Sequence, residues 1–453
     1  MDDSYLIKPN LDGIYSAVAY GKGIFLYDKD GKEYIDGSSG AISASIGHGV
    51  LEIAEVMKEQ AKMVSFVYRS QFTSEPAEKL ALKLKKWAPS NVNWSFFVNS
   101  GSEATETALK VALQYWKEKG MPTKTIILSR WMSYHGITIG ALSMSGHVSR
   151  RRPFIPLLEN FPTIEAPYCY RCPLQLSYPS CQLMCAKELD RYIQRIGAEY
   201  IAAFIAEPII GAAGGAIVPP KGYYEEIRKI CDNHDILFIT DEVMTGIGRC
   251  GKKFAIEYWN VAPDIMALGK GLSGGYTPLA ATMISDKVLE PILNGSKQIM
   301  SGHTYSANPQ STAIAFAVLD YMEVNNLVKK AEEMGYYLLK KLKVLQSNYP
   351  IMGDVRGIGL LIGVEFVCNN INKASFPSSI QVTNRVVQKS QNNGLIVYPA
   401  LSGADAITGD AVLIAPPLII RKNEIDQLVH IFEKVVKELQ EELQKAGYFH
   451  FFQ

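Results

Sequence analysis

The 453-residue chain is predicted to be an α/β protein, a mostly parallel sheet covered by helices with a smaller α+β unit beside it. Short apolar runs recur through its middle, at Trp94–Val98, Thr125–Leu128, Ile201–Ala206, Ile236–Thr240, Ile265–Leu268 and Ala280–Ile284. Most are continuous rather than alternating, the pattern of strands buried on both faces of a parallel sheet. Helical patterns such as 222–233 separate several of them, which is the rhythm of βαβ units.

The ends read differently. Residues 24–36 look like a hairpin with its turn at Asp28–Gly31. After about residue 325 come a helix, short strands around Gly359–Val367 and a last helix. In that helix Ile425, Leu428, Phe432, Val435 and Leu439 mark one apolar face, with Asn423 as N-cap. The expected division is an N-terminal segment (1–60) that joins a small C-terminal domain (326–453), with a large domain (61–325) between them.

Composition narrows the function. Lys plus Arg number 46 against 45 Asp plus Glu, so neither nucleic acid nor an acidic membrane surface is the expected partner. No apolar stretch is long enough to span a bilayer, and the start lacks a signal-peptide pattern. Seven cysteines, an odd number in a large chain, fit a reducing cytoplasm better than a disulfide framework. Four of them, Cys169, Cys172, Cys181 and Cys185, have spacing that could close a structural zinc site, or could be a compact loop of reduced thiols.

Three charged residues stand at strand ends: Glu207 after IAAFIA, Asp241 after ILFIT and Lys270 just after IMAL. Ligands of open α/β sheets bind beyond the carboxyl ends of the strands, and an unpaired charge there is costly. Asn99–Glu103 lies between a strand and a helix. Ser100 with Glu103 fits a capping box, Gly101 permits close backbone approach, and the free amides of the helix start suit a phosphate. A helix start for a phosphate, a carboxylate for a ring nitrogen and a lysine for an aldehyde are the parts that pyridoxal 5'-phosphate (PLP) needs. Ser100–Ser102, Asp241 and Lys270 supply one of each.

These pieces, in their order, resemble a class III PLP-dependent aminotransferase of fold type I. The matching segments are NSGSEATETALK (99–110), SYHG (133–136), AEP (206–208), DEVMTGIGRCG (241–251), PDIMALGKGLSGG (263–275), GHTYSANP (302–309) and IAPPLII (414–420). The spacing from Asp241 to Lys270, 270 − 241 = 29 residues, belongs to the resemblance. It implies a seven-stranded sheet and a role for each residue. Lys270 would hold the cofactor aldehyde and then move the proton, and Asp241 would pair with the ring nitrogen. Tyr134 and Val243 would flank the ring, and Gly101 and Ser102 would hold the phosphate. Glu207 would sit near the cofactor, where in the family it often pairs with an arginine that receives a substrate carboxylate. Thr304 would reach the phosphate of the neighbouring subunit, implying a homodimer with shared sites.

The chain departs from the family at that arginine. Several members carry it just before the Pro-Pro or in the preceding loop, where this chain has Leu413 and the arginine-free stretch Tyr398–Ala411; Arg421 lies after the Pro-Pro. The departure points to ω- or β-amino donors, with pyruvate or another keto acid as acceptor. Residues 168–181 are similar to ω-amino-acid:pyruvate enzymes, including taurine:pyruvate and β-alanine:pyruvate types. Diaminopelargonate (biotin-pathway) enzymes usually place paired tryptophans where this chain has Ala41-Ile42. An aminomutase or racemase on the same fold would use the same parts, and so would a non-catalytic PLP-binding protein. Arg150, Arg151 and Arg152 either form a solvated loop or return over the pocket mouth. His135 and His48 read as orienting or structural residues, and Gly211–Gly215 as a turn. The aromatic tail Tyr448–Phe452 is expected to dock on its own subunit or the partner.

Overall fold

The computed structural model describes residues 5–13, 15–403 and 407–449. Its centre is a seven-stranded sheet whose strands, named along the sheet, are Val92–Val98, Ala280–Ser285, Ile265–Leu268, Leu237–Asp241, Ile201–Ala206, Ile126–Arg130 and Thr163–Ile164. Ala280–Ser285 alone runs antiparallel to its neighbours. The six apolar runs are strands, with ends moved by one or two residues, as is usual at frayed termini. The seventh, Thr163–Ile164, is too short to mark itself by pattern. Every residue of Ile201–Ala206, Leu237–Asp241, Ile265–Leu268 and Ala280–Ser285 is buried, which explains the continuous apolar runs. The mixed α/β class and the seven-stranded, mostly parallel sheet are as expected.

The hairpin also forms, as strands Phe25–Asp28 and Glu33–Asp36. Asp28 closes it by accepting the amides of Asp30 and Lys32. Strand Leu395–Ile396, from far along the chain, pairs in parallel with Glu33–Asp36. A second four-stranded sheet holds Met352–Ile358, Leu361–Phe366, Asp410–Ile414 and Tyr398–Leu401. The last helix, Lys422–Lys445, buries the predicted face, packing against helices Leu327–Asn348 and Val382–Asn392 and strand Leu395–Ile396. Its start differs from expectation. Arg421 occupies the N-cap position, Asn423 lies within the first turn, and Glu424 caps by accepting the Arg421 amide at 2.7 Å.

His48 holds Asp36 at 2.9 Å, and the 211–215 turn joins Ile210 to Ile217 across an isolated bridge. Phe449 is buried in the core and Tyr448 is partly exposed; the tail from His450 onward lies outside the described residues. The four clustered cysteines are free thiols, with Cys169 exposed. Burial pushes the Cys185 thiol up to about 12. Among the described residues no group of three or more His, Cys, Asp or Glu is arranged to hold a metal ion, and no helix is long and apolar enough to cross a membrane.

Candidate active site

Strand order builds the site. Strands Ile201–Ala206, Leu237–Asp241 and Ile265–Leu268 are adjacent and parallel, with Ala206 opposite Thr240 and Asp241 opposite Ala267. Glu207, Asp241 and Lys270 therefore emerge at one edge of the sheet. Helix Gly101–Glu118, which follows the first strand of the sheet, begins at the same edge. Together they enclose a cavity of about 210 Å³ lined by Gly101, Ser102, Tyr134, Glu207, Asp241, Val243 and Lys270, with His135, Gly136, Ala212 and Met244.

Two expected residues stand elsewhere. Ser100 is exposed and does not line the cavity: its hydroxyl accepts the Glu103 amide at 3.2 Å as a helix cap. The capping box is half formed, because the Glu103 carboxylate reaches back to the amide of Asn99, at 2.7 Å, rather than to that of Ser100. Thr304 is exposed on the single chain and does not line this chain's cavity either.

Asp241 is held rigidly. One carboxylate oxygen accepts the Val243 amide at 3.0 Å, and the other lies 2.8 Å from Nδ1 of His135. Both side chains are buried, and Nε2 of His135 has no hydrogen-bond partner. A buried orphan of this kind beside a cavity marks a site built for something further. Glu207 accepts the amides of Tyr134 and Gly211, each at 2.9 Å. Burial pushes its carboxyl above the ordinary range. Among the described residues no arginine side chain pairs with the Glu207 carboxylate; Arg130 instead donates to its backbone carbonyl at 2.6 Å.

Lys270 adopts φ 44, a left-handed conformation rarely used by a side-chain-bearing residue and often found at functional sites. Its amine donates to the Ala41 carbonyl at 2.8 Å. That carbonyl is presented by a kinked segment in which Ser39, Gly40 and Ile42 all have positive φ. Burial pushes the Lys270 amine down to about 8; the charges of Asp241 and Glu207 pull it up, and those of Arg150 and Arg249 push it further down.

The glycines show how closely the walls approach. A Cβ on Gly101 would lie 2.8 Å from Cγ1 of Val243, and one on Gly136 would lie 2.6 Å from the Ser102 hydroxyl. The Ser102 hydroxyl accepts the Ile137 amide at 3.0 Å. A flat ring between Tyr134 and Val243, an anion at the helix start, a carboxylate and a lysine with a lowered pKa fit one aromatic aldehyde phosphate in chemistry and layout.

The three arginines divide. Arg151 donates to the carbonyls of Leu142, Ser143 and Ser145 at 2.7–3.0 Å and so closes a helix end. Arg152 is exposed. The Arg150 guanidinium lies over the Tyr134 ring, 4.7 Å from its centroid. The sequence did not reveal the His135–Asp241 contact, nor the Ala41 carbonyl on Lys270. A histidine next to Tyr134 was the available signal for the first; the second had none.

The family model described as aminotransferase class-III matches residues 7–436. An uncharacterized aminotransferase of Bacillus subtilis (strain 168), YodT, is 53% identical over 442 residues, covering 98% of this chain and 99% of its own. The adenosylmethionine-8-amino-7-oxononanoate aminotransferase of Geobacter sulfurreducens is 37% identical, covering 92% of this chain and 91% of its own. Among solved structures, a thermostable (S)-enantioselective omega-transaminase from Thermomicrobium roseum superposes with a TM-score of 0.88 at 36% identity, covering 94% of this chain and 93% of that one.

Proposed function

The chain belongs to the class III aminotransferases, and on that premise we propose that it uses PLP to move an amino group from an ω- or β-amino donor to a keto acid such as pyruvate. The observation that carries this reading is the convergence of Lys270, Asp241 and the Gly101 helix start on one cavity. In this reading the large domain is 61–325, and the 1–60 segment completes the small domain of 326–453. The enzyme is a cytoplasmic homodimer in which Thr304 of each subunit reaches the phosphate held by the other.

When bound, PLP supplies a protonated ring that withdraws electrons from the carbon bearing the amine. Asp241 would hold the proton of that ring nitrogen. His135 and the Val243 amide fix the carboxylate, so its direction costs nothing at the moment of reaction. The Gly101 and Ser102 amides are the first donors of a helix and would receive the phosphate dianion. Tyr134 and Val243, which line the cavity, would flank the ring. Lys270, whose amine burial lowers to about 8, would hold the aldehyde and is the group placed to accept and return a proton. Glu207, with both oxygens engaged by amides, fixes the Tyr134 loop rather than a substrate arginine.

The substrate of the 37% relative is not carried over to this chain, which has Ala41-Ile42 where the resemblance leads one to expect paired tryptophans in that type of enzyme. An aminomutase or racemase would not consume a keto acid. Return of the cofactor absorbance on adding pyruvate to the amine-loaded enzyme separates transamination from both. Lys270→Ala should lose the cofactor absorbance band of the wild type together with turnover; a variant that turns over at the wild-type rate would sink the assignment.

A further inference from the structure

Arg150 is placed to do more than cover a surface. Its guanidinium lies 4.7 Å from the centroid of Tyr134, the residue that walls the cofactor cavity. The same residue lines an adjoining cavity of about 410 Å³, together with His147, Tyr398 and Asp410. Ala212 lines both cavities, so the second opens beside the first. Among the described residues Arg150 is the only guanidinium lining either one, and Lys270 is the only lysine.

The charges around it are already engaged. Asp241 and Glu207 are held as described above, and Asp410 accepts the amide and hydroxyl of Thr383 at 2.8 and 2.9 Å. Among the described residues no carboxylate lies within ion-pair distance of Arg150 (its neighbour Arg151 is spent on three carbonyls). His147, packed edge-on against Tyr134, is held neutral by burial and by Arg150, its pKa pushed down to about 4, and so does not compete for an anion. A guanidinium held over a ring can still offer N–H groups to a bidentate oxyanion.

We infer that Arg150, stacked on Tyr134 at the junction of the two cavities, receives the carboxylate of an amino donor whose acid group stands several bonds from the reacting amine. The inference rests on the aminotransferase reading and names its substrate class: ω- and β-amino acids rather than plain alkylamines. It also accounts for the missing arginine near the Pro-Pro, since Arg150 lines the same cavity as the arginine-free stretch Tyr398–Leu401.

The test uses the PLP-loaded enzyme and the variants Arg150→Met and Arg150→Lys. Arg150 is exposed, and Met keeps the apolar stem, so neither change threatens the fold. Turnover of β-alanine and of propylamine with pyruvate is measured, together with the dissociation constant of unreactive propionate from its effect on the cofactor absorbance. Arg150→Met should raise KM for β-alanine about tenfold or more with kcat little changed. It should weaken propionate by a similar factor and leave propylamine within about twofold. Arg150→Lys, which keeps the charge and loses the fork, should fall between. Equal effects on both donors, or unchanged propionate binding, would overturn the inference while turnover in the wild type upheld the aminotransferase reading. If the wild type turned over neither donor, propionate binding in the variants would still decide for or against Arg150.

Discussion

The ionisation of Lys270 gives a measurement that depends on the folded site alone. An ordinary lysine has a pKa of 10.5, while burial places this one at about 8. At pH 7 the neutral-to-charged ratio is then about 0.1 rather than about 0.0003, a gain of roughly 300-fold. The sign is fixed by the cause: desolvation penalises the ammonium form, so the neutral fraction rises with pH through about 8 instead of through 10.5. Cofactor-free enzyme would be pulsed with an amine-selective acylating reagent across pH 6–11, and the Lys270 peptide quantified by mass spectrometry against exposed lysines of the same chain. Its labelling should have a midpoint near 8. Asp241→Asn removes a charge that pulls the pKa up, so its midpoint should fall below that of the wild type. A midpoint above 10, or one that rises in Asp241→Asn, would refute the electrostatic reasoning.

Other expectations follow from the same geometry. Asp241→Asn should keep the fold and lower kcat by orders of magnitude; a loss of only a few-fold, about 1 kcal/mol of barrier, would mean that another group holds the ring nitrogen. Gly101→Ala drives a methyl to 2.8 Å from Val243, which should weaken cofactor binding to the apoenzyme tenfold or more in a fluorescence titration. Adding Val243→Ala should restore part of the loss, and wild-type affinity in the single variant would show that the wall yields freely. If Thr304 completes a neighbour's phosphate site, sedimentation at assay concentration should find dimers, and Thr304→Ala should weaken the cofactor in both sites. An active monomer would contradict the shared site.

Much of this was legible because the features are local. Continuous apolar runs identified the buried strands, and a charged residue directly after a strand identified the sheet edge where Glu207, Asp241 and Lys270 meet. What could not be read depends on contacts between distant parts of the chain. His135 meets Asp241 across 106 residues, and Lys270 meets the Ala41 carbonyl across 229. Capping was read as chemistry at the right place but with the wrong partner twice, since Glu103 serves Asn99 and Arg421 precedes the last helix. Side-chain reach within one turn is too permissive for spacing alone to decide it. Ser100 shows the same limit: its hydroxyl accepts the Glu103 amide as a cap, and Gly101 and Ser102 line the cavity. The arginine run showed charge but not direction. Only the backbone path after Ser145 shows that Arg151 turns inward to carbonyls while Arg150 turns onto Tyr134.

The central claim is that one lysine at the end of the Ile265–Leu268 strand carries the cofactor. Borohydride reduction of the PLP-loaded enzyme, followed by proteolysis and mass mapping, tests it directly. The reduced pyridoxyl group should be found on Lys270 in stoichiometric amount and be absent from Lys270→Ala. Its recovery on any other lysine of the wild type, or its absence from the chain, would contradict the assignment of this site.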